Sequence, residues 1–268
     1  MNAGKLLFVI LLLVSLLPVC STAETESDKV KITILYTAGS KGYFLPFKVH
    51  NSKVFTDLTL KVGARYGGYA AIAQYIKETR KEIEDDGGIV VLVDGGNSLV
   101  GSSEANHFNG LVSIDFMNHM KYDAITVSNL DFNLGQKVVK NMSKKAKFSF
   151  LNANLFEKDS GELPDYLEAT TLFERKGLKI GIVGYAQNNI VRWTKASAMK
   201  GLRSEVAIPI VQKHVTSLRA KGADLVIALD HTPGLEYRKV ASSVQGIDVL
   251  IDGAVEWASV YTKSFRLA

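Results

Sequence analysis

The sequence predicts an α/β fold in which sheets are covered by helices on both faces. Two observations carry that prediction. Apolar, β-branched runs without alternation, such as Ile89-Val90-Val91-Leu92-Val93, leave no face for water and belong to strands buried on both sides. Amphipathic segments long enough for helices separate these runs, which is the rhythm of strand–helix–strand units.

Residues 30–36 read as the first strand. Residues 42–67 are long and irregular, with room for a small hairpin around 58–62. Residues 69–84 read as helix because Ile72, Ala73, Ile76 and Ile83 share one stripe. The strand at 89–93 stops at Asp94-Gly95-Gly96. Helices are expected over 111–120 and 134–145, and strands over 123–127 and 148–151. The rhythm then changes: residues 172–175 and 179–183 read as adjacent strands turned at Lys176-Gly177-Leu178. A helix at 206–220, a strand at 224–229, a helix at 235–243 and a last buried strand at 249–251 complete the pattern. There is no internal repeat and no low-complexity linker. Ligands of such folds bind at loops that follow strands, and Gly39, Asn97, Asn129, His231 and Ala254 all follow predicted strands.

The chain has 268 residues, 47% of them hydrophobic, with charges of both signs, so a globular core is expected rather than disorder. Residues 1–23 read as a secretory signal: Lys5 is the positive start, an apolar run follows, and Ser21-Thr22-Ala23 is a small-residue cleavage site. The run is too short for a membrane span, so no span is expected after cleavage. Residues 28–268 are then one domain. Cleavage removes Cys20, the only cysteine, and excludes disulfides and thiolate zinc sites from the mature chain. Export without a cysteine pair points to a periplasmic or extracellular protein. The net charge of +5 is scattered, and the one cluster, Lys144-Lys145-Ala146-Lys147, suits the end of a helix, so no nucleic-acid partner is expected.

Several short blocks carry more than composition does. Ile34-Leu35-Tyr36-Thr37-Ala38-Gly39-Ser40-Lys41-Gly42 is followed by Gly67-Gly68-Tyr69-Ala70, by Asp94-Gly95-Gly96-Asn97-Ser98-Leu99-Val100-Gly101-Ser102 and by Ser128-Asn129-Leu130-Asp131-Phe132-Asn133. Asn152-Ala153-Asn154, Leu229-Asp230-His231-Thr232-Pro233-Gly234 and Asp248-Val249-Leu250-Ile251-Asp252-Gly253-Ala254-Val255-Glu256 come later. In this order the series resembles the 5'-nucleotidase branch of the calcineurin-like metallophosphoesterases. Their blocks read Leu-His-Thr-Asn-Asp-x-His-Gly, Gly-Gly-x-Ala, Asp-Ala-Gly-Asp-x-x-x-Gly-Ser, Gly-Asn-His-Glu-Phe-Asp, Leu-Ser-His-x-Gly and Asp-Val-Ile-Ile-Gly-Gly-His-x-His. The resemblance implies a four-layer α/β/β/α sandwich, here incomplete at its C-terminal edge because family domains continue past the last block.

In that family two divalent metals sit among Asp, His and Asn ligands and clamp an in-line displacement at phosphorus. Carried across by the motifs, the first-site Asp and His fall on Gly39 and Lys41, and the bridging Asp on Asn97. The closing histidines fall on Ala254 and Glu256, the general-acid His on Leu130 and its supporting Asp on Asn133. Only Asn129 and His231 match. An isobutyl group donates no proton and an ammonium binds no cation, so the resemblance implies a scaffold without its chemistry.

The expectation is therefore an exported relative that is catalytically inactive and acts on an unknown protein or small-molecule partner as a binding or scaffold protein, with no cofactor. Two alternatives stay open. One is a weak phosphoester hydrolase holding a single divalent metal through Asn97, Asn129 and His231, with Asp230 as a further donor. The other is a truncated, non-functional gene product. Asn97, Asn129 and His231 are expected in one cleft, and Lys41 is expected to approach Glu256 as an ion pair in the emptied first site.

Overall fold

A computed structural model describes residues 30–48, 63–234, 236–254 and 261–267. The expected signal segment, the hairpin around 58–62 and Glu256 lie outside the described residues.

The first half winds strands and helices alternately. Strands β1 (Val30–Thr37), β4 (Ile89–Asp94), β5 (Ala124–Thr126) and β6 (Ser149–Leu151) run parallel, and β13 (Tyr261–Leu267) pairs antiparallel with β1, giving the order β13-β1-β4-β5-β6. Helices α1 (Tyr69–Asp85), α3 (Leu111–Met120) and α4 (Gln136–Lys145) cover the outer face of this sheet. They bury Ile76, Ile83, Ile114, Met117, Val139 and Met142 against Leu35, Val90, Leu92, Ile125 and Phe150. The short β2 (Phe47–Lys48) and β3 (Arg65–Tyr66) form a two-stranded ribbon, and α2 (Ser103–His107) starts on a Ser102 cap whose hydroxyl accepts the Ala105 N–H at 3.0 Å.

The second half builds a smaller sheet from β8 (Thr170–Arg175), β9 (Leu178–Ala186), β11 (Leu225–His231) and β12 (Val249–Asp252), in the order β12-β11-β9-β8. The expected hairpin is present as the antiparallel β8–β9 pair, while β9, β11 and β12 are parallel. Helices α5 (Ala207–Ala220) and α6 (Glu236–Ser243) cover its outer face through Val211, Val215, Leu218 and Val240. Strands β7 (Leu155–Glu157) and β10 (Leu202–Ser204) pair with each other outside both sheets.

Between the sheets lies a dry middle layer. Ile32, Ile34, Val91, Val93 and Leu151 of one sheet pack on Ile180, Ile182, Ile227, Leu229 and Ile251 of the other. Period-two alternation explains this: odd positions of β11 enter the middle layer, whereas Val226 and Ala228 face α5 and α6. The Thr126 hydroxyl donates to the Leu229 carbonyl at 3.2 Å and ties the sheets together near their C-terminal ends. The result is a helix–sheet–sheet–helix sandwich whose parallel strands from both sheets end on one side.

Candidate functional site

The loops after β1, β4 and β5 lock together through backbone contacts. The Gly39 N–H donates to Gly96 O at 2.9 Å, and the Lys41 N–H to Asn97 O at 3.0 Å. Lys41 and Asn97 both take left-handed backbone, at φ 50° and 56°. Asparagine tolerates that region and lysine does so reluctantly. Beneath the loops two buried carboxylates organise the backbone. Asp131 accepts N–H donors from Asn97 (3.0 Å), Leu99 (3.0 Å) and Ser128 (2.9 Å), which fixes the β4 loop to the 3₁₀ turn Asn129–Phe132. Asp94 accepts the Thr37 hydroxyl at 2.6 Å and the Gly96 N–H at 2.8 Å. Burial pushes Asp94 up to about 7 and Asp131 up to about 6, against the pull of these donors.

Asn97 and Asn129 meet directly on top of this layer. The Asn97 side chain donates from Nδ2 to Asn129 Oδ1 at 3.2 Å and accepts the Leu130 N–H on Oδ1 at 2.9 Å. Asn129 is held in turn by its neighbours: its Oδ1 accepts the Ser128 hydroxyl at 3.2 Å, and its Nδ2 donates to Trp193 O at 3.4 Å. Both amides are thus engaged in an internal clasp. Leu130 stands beside it, and the Asn133 N–H donates to Leu130 O at 2.9 Å to close the turn.

His231 reaches the same place from the second sheet. Its Nδ1 lies 2.6 Å from the Gly95 carbonyl, a contact in which the ring donates. That hydrogen bond fixes the tautomer and leaves Nε2 as the lone-pair nitrogen. Burial lowers the imidazole to about 4, so it is neutral near pH 7. The approach depends on two glycines. A Cβ on Gly253 would lie 2.1 Å from Gly95 O, and one on Gly95 2.5 Å from Gly253 Cα, so the two loops touch backbone to backbone. Ala254 follows, its N–H donating to Asp252 Oδ1 at 3.0 Å.

Asn97 and Asn129 are therefore in direct contact at the strand ends, and His231 abuts the Gly95–Gly96 backbone that leads into Asn97, with Gly39, Lys41 and Ala254 on the adjoining loops. Asp230 is not part of that group. Its side chain takes the opposite face of β11 from His231, toward the α5–α6 layer, where it accepts the Thr232 hydroxyl at 2.9 Å. The expectation that Asp230 adds a donor beside His231 is overturned by strand alternation alone. The expected partner of Lys41, Glu256, lies outside the described residues.

Two further contributors carry little signal in sequence. Asp131 works through backbone N–H groups that no motif displays. Trp193 is 61% exposed at the rim, where its carbonyl holds Asn129. An isolated tryptophan in a polar stretch was the one available hint.

A two-metal centre does not fit this donor set. Gly39 and Ala254 have no donor, Lys41 is a cation, and the amides of Asn97 and Asn129 are spent on each other. Among the described residues no group of three or more His, Cys, Asp or Glu side chains stands close enough to hold a metal.

A sandwich of two mixed sheets with loops meeting at the parallel strand ends is the scaffold that the ordered motif blocks imply. The comparisons agree. No family model matches the chain. A 2',3'-cyclic-nucleotide 2'-phosphodiesterase/3'-nucleotidase of Haemophilus influenzae is 29% identical over 180 residues, covering 62% of this chain and 27% of the relative. A snake venom 5'-nucleotidase of Crotalus adamanteus is 30% identical over 191 residues, covering 70% of this chain and 32% of the relative. In three dimensions the chain resembles a 5'-nucleotidase precursor of Thermus thermophilus, with a TM-score of 0.71, 21% identity, and coverage of 83% of this chain and 41% of that one. The chain is a homologue of the 5'-nucleotidase-type calcineurin-like phosphoesterases and spans about a third or less of the length of the curated relatives named above.

Proposed function

We propose that this protein is a catalytically degenerate member of its family that acts as an exported binding or scaffold protein. One observation carries the reading. The residue at the bridging position, Asn97, holds Asn129 and the Leu130 N–H directly, so neutral hydrogen bonds connect the loops that a pair of cations would otherwise draw together. Leu130 supplies no proton for a leaving group, and the carboxylates beneath the clasp, Asp94 and Asp131, are taken up by backbone N–H groups and a hydroxyl. Export rests on the pattern of residues 1–23, and a venom nucleotidase among the relatives is in keeping with it.

A second reading has one observation in its favour. His231 presents Nε2 with its other nitrogen oriented by a backbone carbonyl, the way a metal-ligating histidine is held. That supports one weakly bound metal and slow phosphoester hydrolysis. The assay that separates the readings is turnover of p-nitrophenyl phosphate and of nucleotides in Mg²⁺, Mn²⁺ or Zn²⁺, beside a His231→Ala control. The inactive reading expects no turnover above background in either protein. Metal-dependent turnover that disappears in His231→Ala overturns it.

A further inference from the structure

The second sheet is open along β8. That strand ends the order β12-β11-β9-β8, and none of its residues is fully buried, whereas β11 is buried throughout. The turn Lys176-Gly177 takes left-handed backbone at both positions, φ 49° and 79°, which makes Arg175 and Leu178 the hydrogen-bonded closing pair of a two-residue hairpin. Bonded and unbonded pairs alternate from there. Phe173 and Thr171 therefore bond to β9, while Glu174 and Leu172 turn their N–H and C=O groups outward. Among the described residues no backbone group pairs with those outward groups.

Sheet edges of this kind are usually blunted by a bulge, a proline or an outward charge. The β8–β9 register runs without a bulge, and β8 contains no proline. The Arg175 guanidinium turns away onto Asp123, at 3.0 Å, and onto the Val90 carbonyl. Beside the edge lies a groove of about 590 Å³. Thr171 and Phe173 line it from β8, and Ala146, Lys147 and Phe148 line it from the end of α4 and the approach to β6. Phe148 and Phe173 are only half-buried. The groove sits where the inward side chains of one more strand, about 4.8 Å from β8, would lie.

The walls also select the partner. The end of α4 stands across the groove from β8, which leaves room for a single strand but not for the sheet and helices of a second copy. Lys144, Lys145 and Lys147 make no ion pair among the described residues, so that end of the groove is complementary to a carboxylate. Apolar or β-branched side chains are complementary to Phe148 and Phe173.

We propose that β8 is a docking edge for an extended peptide segment of a partner protein, added as a fifth strand to the second sheet with an acidic residue at the Lys147 end. Its main chain bonds to Leu172 and Glu174, and its inward side chains fill the groove. The proposal is independent of the state of the clasp. The groove borders Asp123 and Ser149, where β5 and β6 begin, and the clasp lies where the parallel strands end.

The test is fluorescence-polarisation titration of the purified protein with two labelled eight-residue peptides. Both alternate Val and Thr; one carries two Asp at its N-terminal end and the other at its C-terminal end, so that both strand directions are offered. One of them binds saturably. Hydrogen exchange then slows at the Leu172 and Glu174 amides and changes little at Thr171 and Phe173, which are already bonded to β9. Glu174→Pro removes an outward N–H but no bond of the β8–β9 ladder, so it keeps the wild-type melting temperature and weakens binding about tenfold. Lys147→Ala weakens binding about two- to fivefold and flattens its salt dependence. Should Glu174→Pro fail to fold, the binding peptide N-methylated at alternate residues decides on wild-type protein: one of the two methylation registers abolishes binding. Absence of saturable binding by either peptide overturns the proposal. So does binding unchanged in folded Glu174→Pro, or binding that tolerates both methylation registers.

Discussion

The layer that faces the cleft and the layer just beneath it differ sharply in chemistry. Beneath, Asp94 and Asp131 are buried and fully occupied by backbone N–H groups and hydroxyls. Above them, on the loops at the strand ends, Gly39, Lys41, Leu130 and Ala254 stand at positions that the family motifs give to metal ligands and an acid. The lower layer serves the fold, because its carboxylates hold loops that would otherwise carry orphan donors. The upper layer holds the positions that the motifs assign to chemistry, and side chains there bear less of the fold. The difference teaches that the buried layer, with the amide contact above it, can keep the shape of the scaffold while the remaining positions change.

The lower layer should be the most sensitive. Asp131→Ala strips a buried acceptor from three N–H donors and should lower the unfolding free energy by about 3–5 kcal/mol, read by urea denaturation. A loss under about 1 kcal/mol would mean the loops hold without it. Asn97→Ala leaves the Leu130 N–H without its partner and should cost about 1–3 kcal/mol. Asn97→Asp should also destabilise, because a carboxylate would face Asn129 Oδ1 where an NH₂ now donates.

Acid–base behaviour sharpens the same contrast. Asp94 and Asp230 are raised to about 7 and Asp131 to about 6, so the native state holds more protons than the unfolded chain above the ordinary carboxylate range of about 4. Their contribution is fully present below that range and is lost as pH rises through the folded values. His231, lowered to about 4, acts in the opposite sense: its contribution is present above the ordinary histidine value of about 6.5 and is lost as pH falls toward 4. Between those values the two effects oppose each other. Above about 6.5 only the carboxylates titrate, so melting temperature should fall from pH 6.5 to 8 in chelator. A melting temperature that rises over that interval would show the carboxylates to be ionised well below it.

Leu130→His marks the small end of the scale. The side chain is only partly buried, so stability should move by no more than about 0.5 kcal/mol, and no phosphoester turnover should appear. Turnover restored by this one change would show that the upper layer lacks only its acid.

Much of the fold was legible because its signals are local. The helix read at 111–120 is α3 as observed, and the turn at Lys176-Gly177 joins β8 and β9 where the hairpin was placed. The strand β13 was not anticipated: Thr262-Lys263-Ser264 interrupt the apolar residues of 261–267, which leaves neither an apolar run nor a regular alternation to read. β7 and β10 escaped because three-residue strands outside the main sheets have no periodicity to detect. At the site, motif order singled out Asn97, Asn129 and His231, and the first two touch. The clasp between the two amides was not legible, since it depends on a left-handed backbone at Asn97 that sequence does not announce. Strand parity was available for Asp230, and counting alternate positions from Leu229 would have put it on the outer face.

The central claim is that a direct amide contact holds the cleft without metal. A double-mutant cycle measures it most directly: unfolding free energies of wild type, Asn97→Ala, Asn129→Ala and the double variant, in chelator and again in Mn²⁺. The account predicts a coupling of about 1 kcal/mol between the two residues, the same with and without Mn²⁺. Additive losses in chelator, or a coupling that emerges only when Mn²⁺ is added, would contradict it.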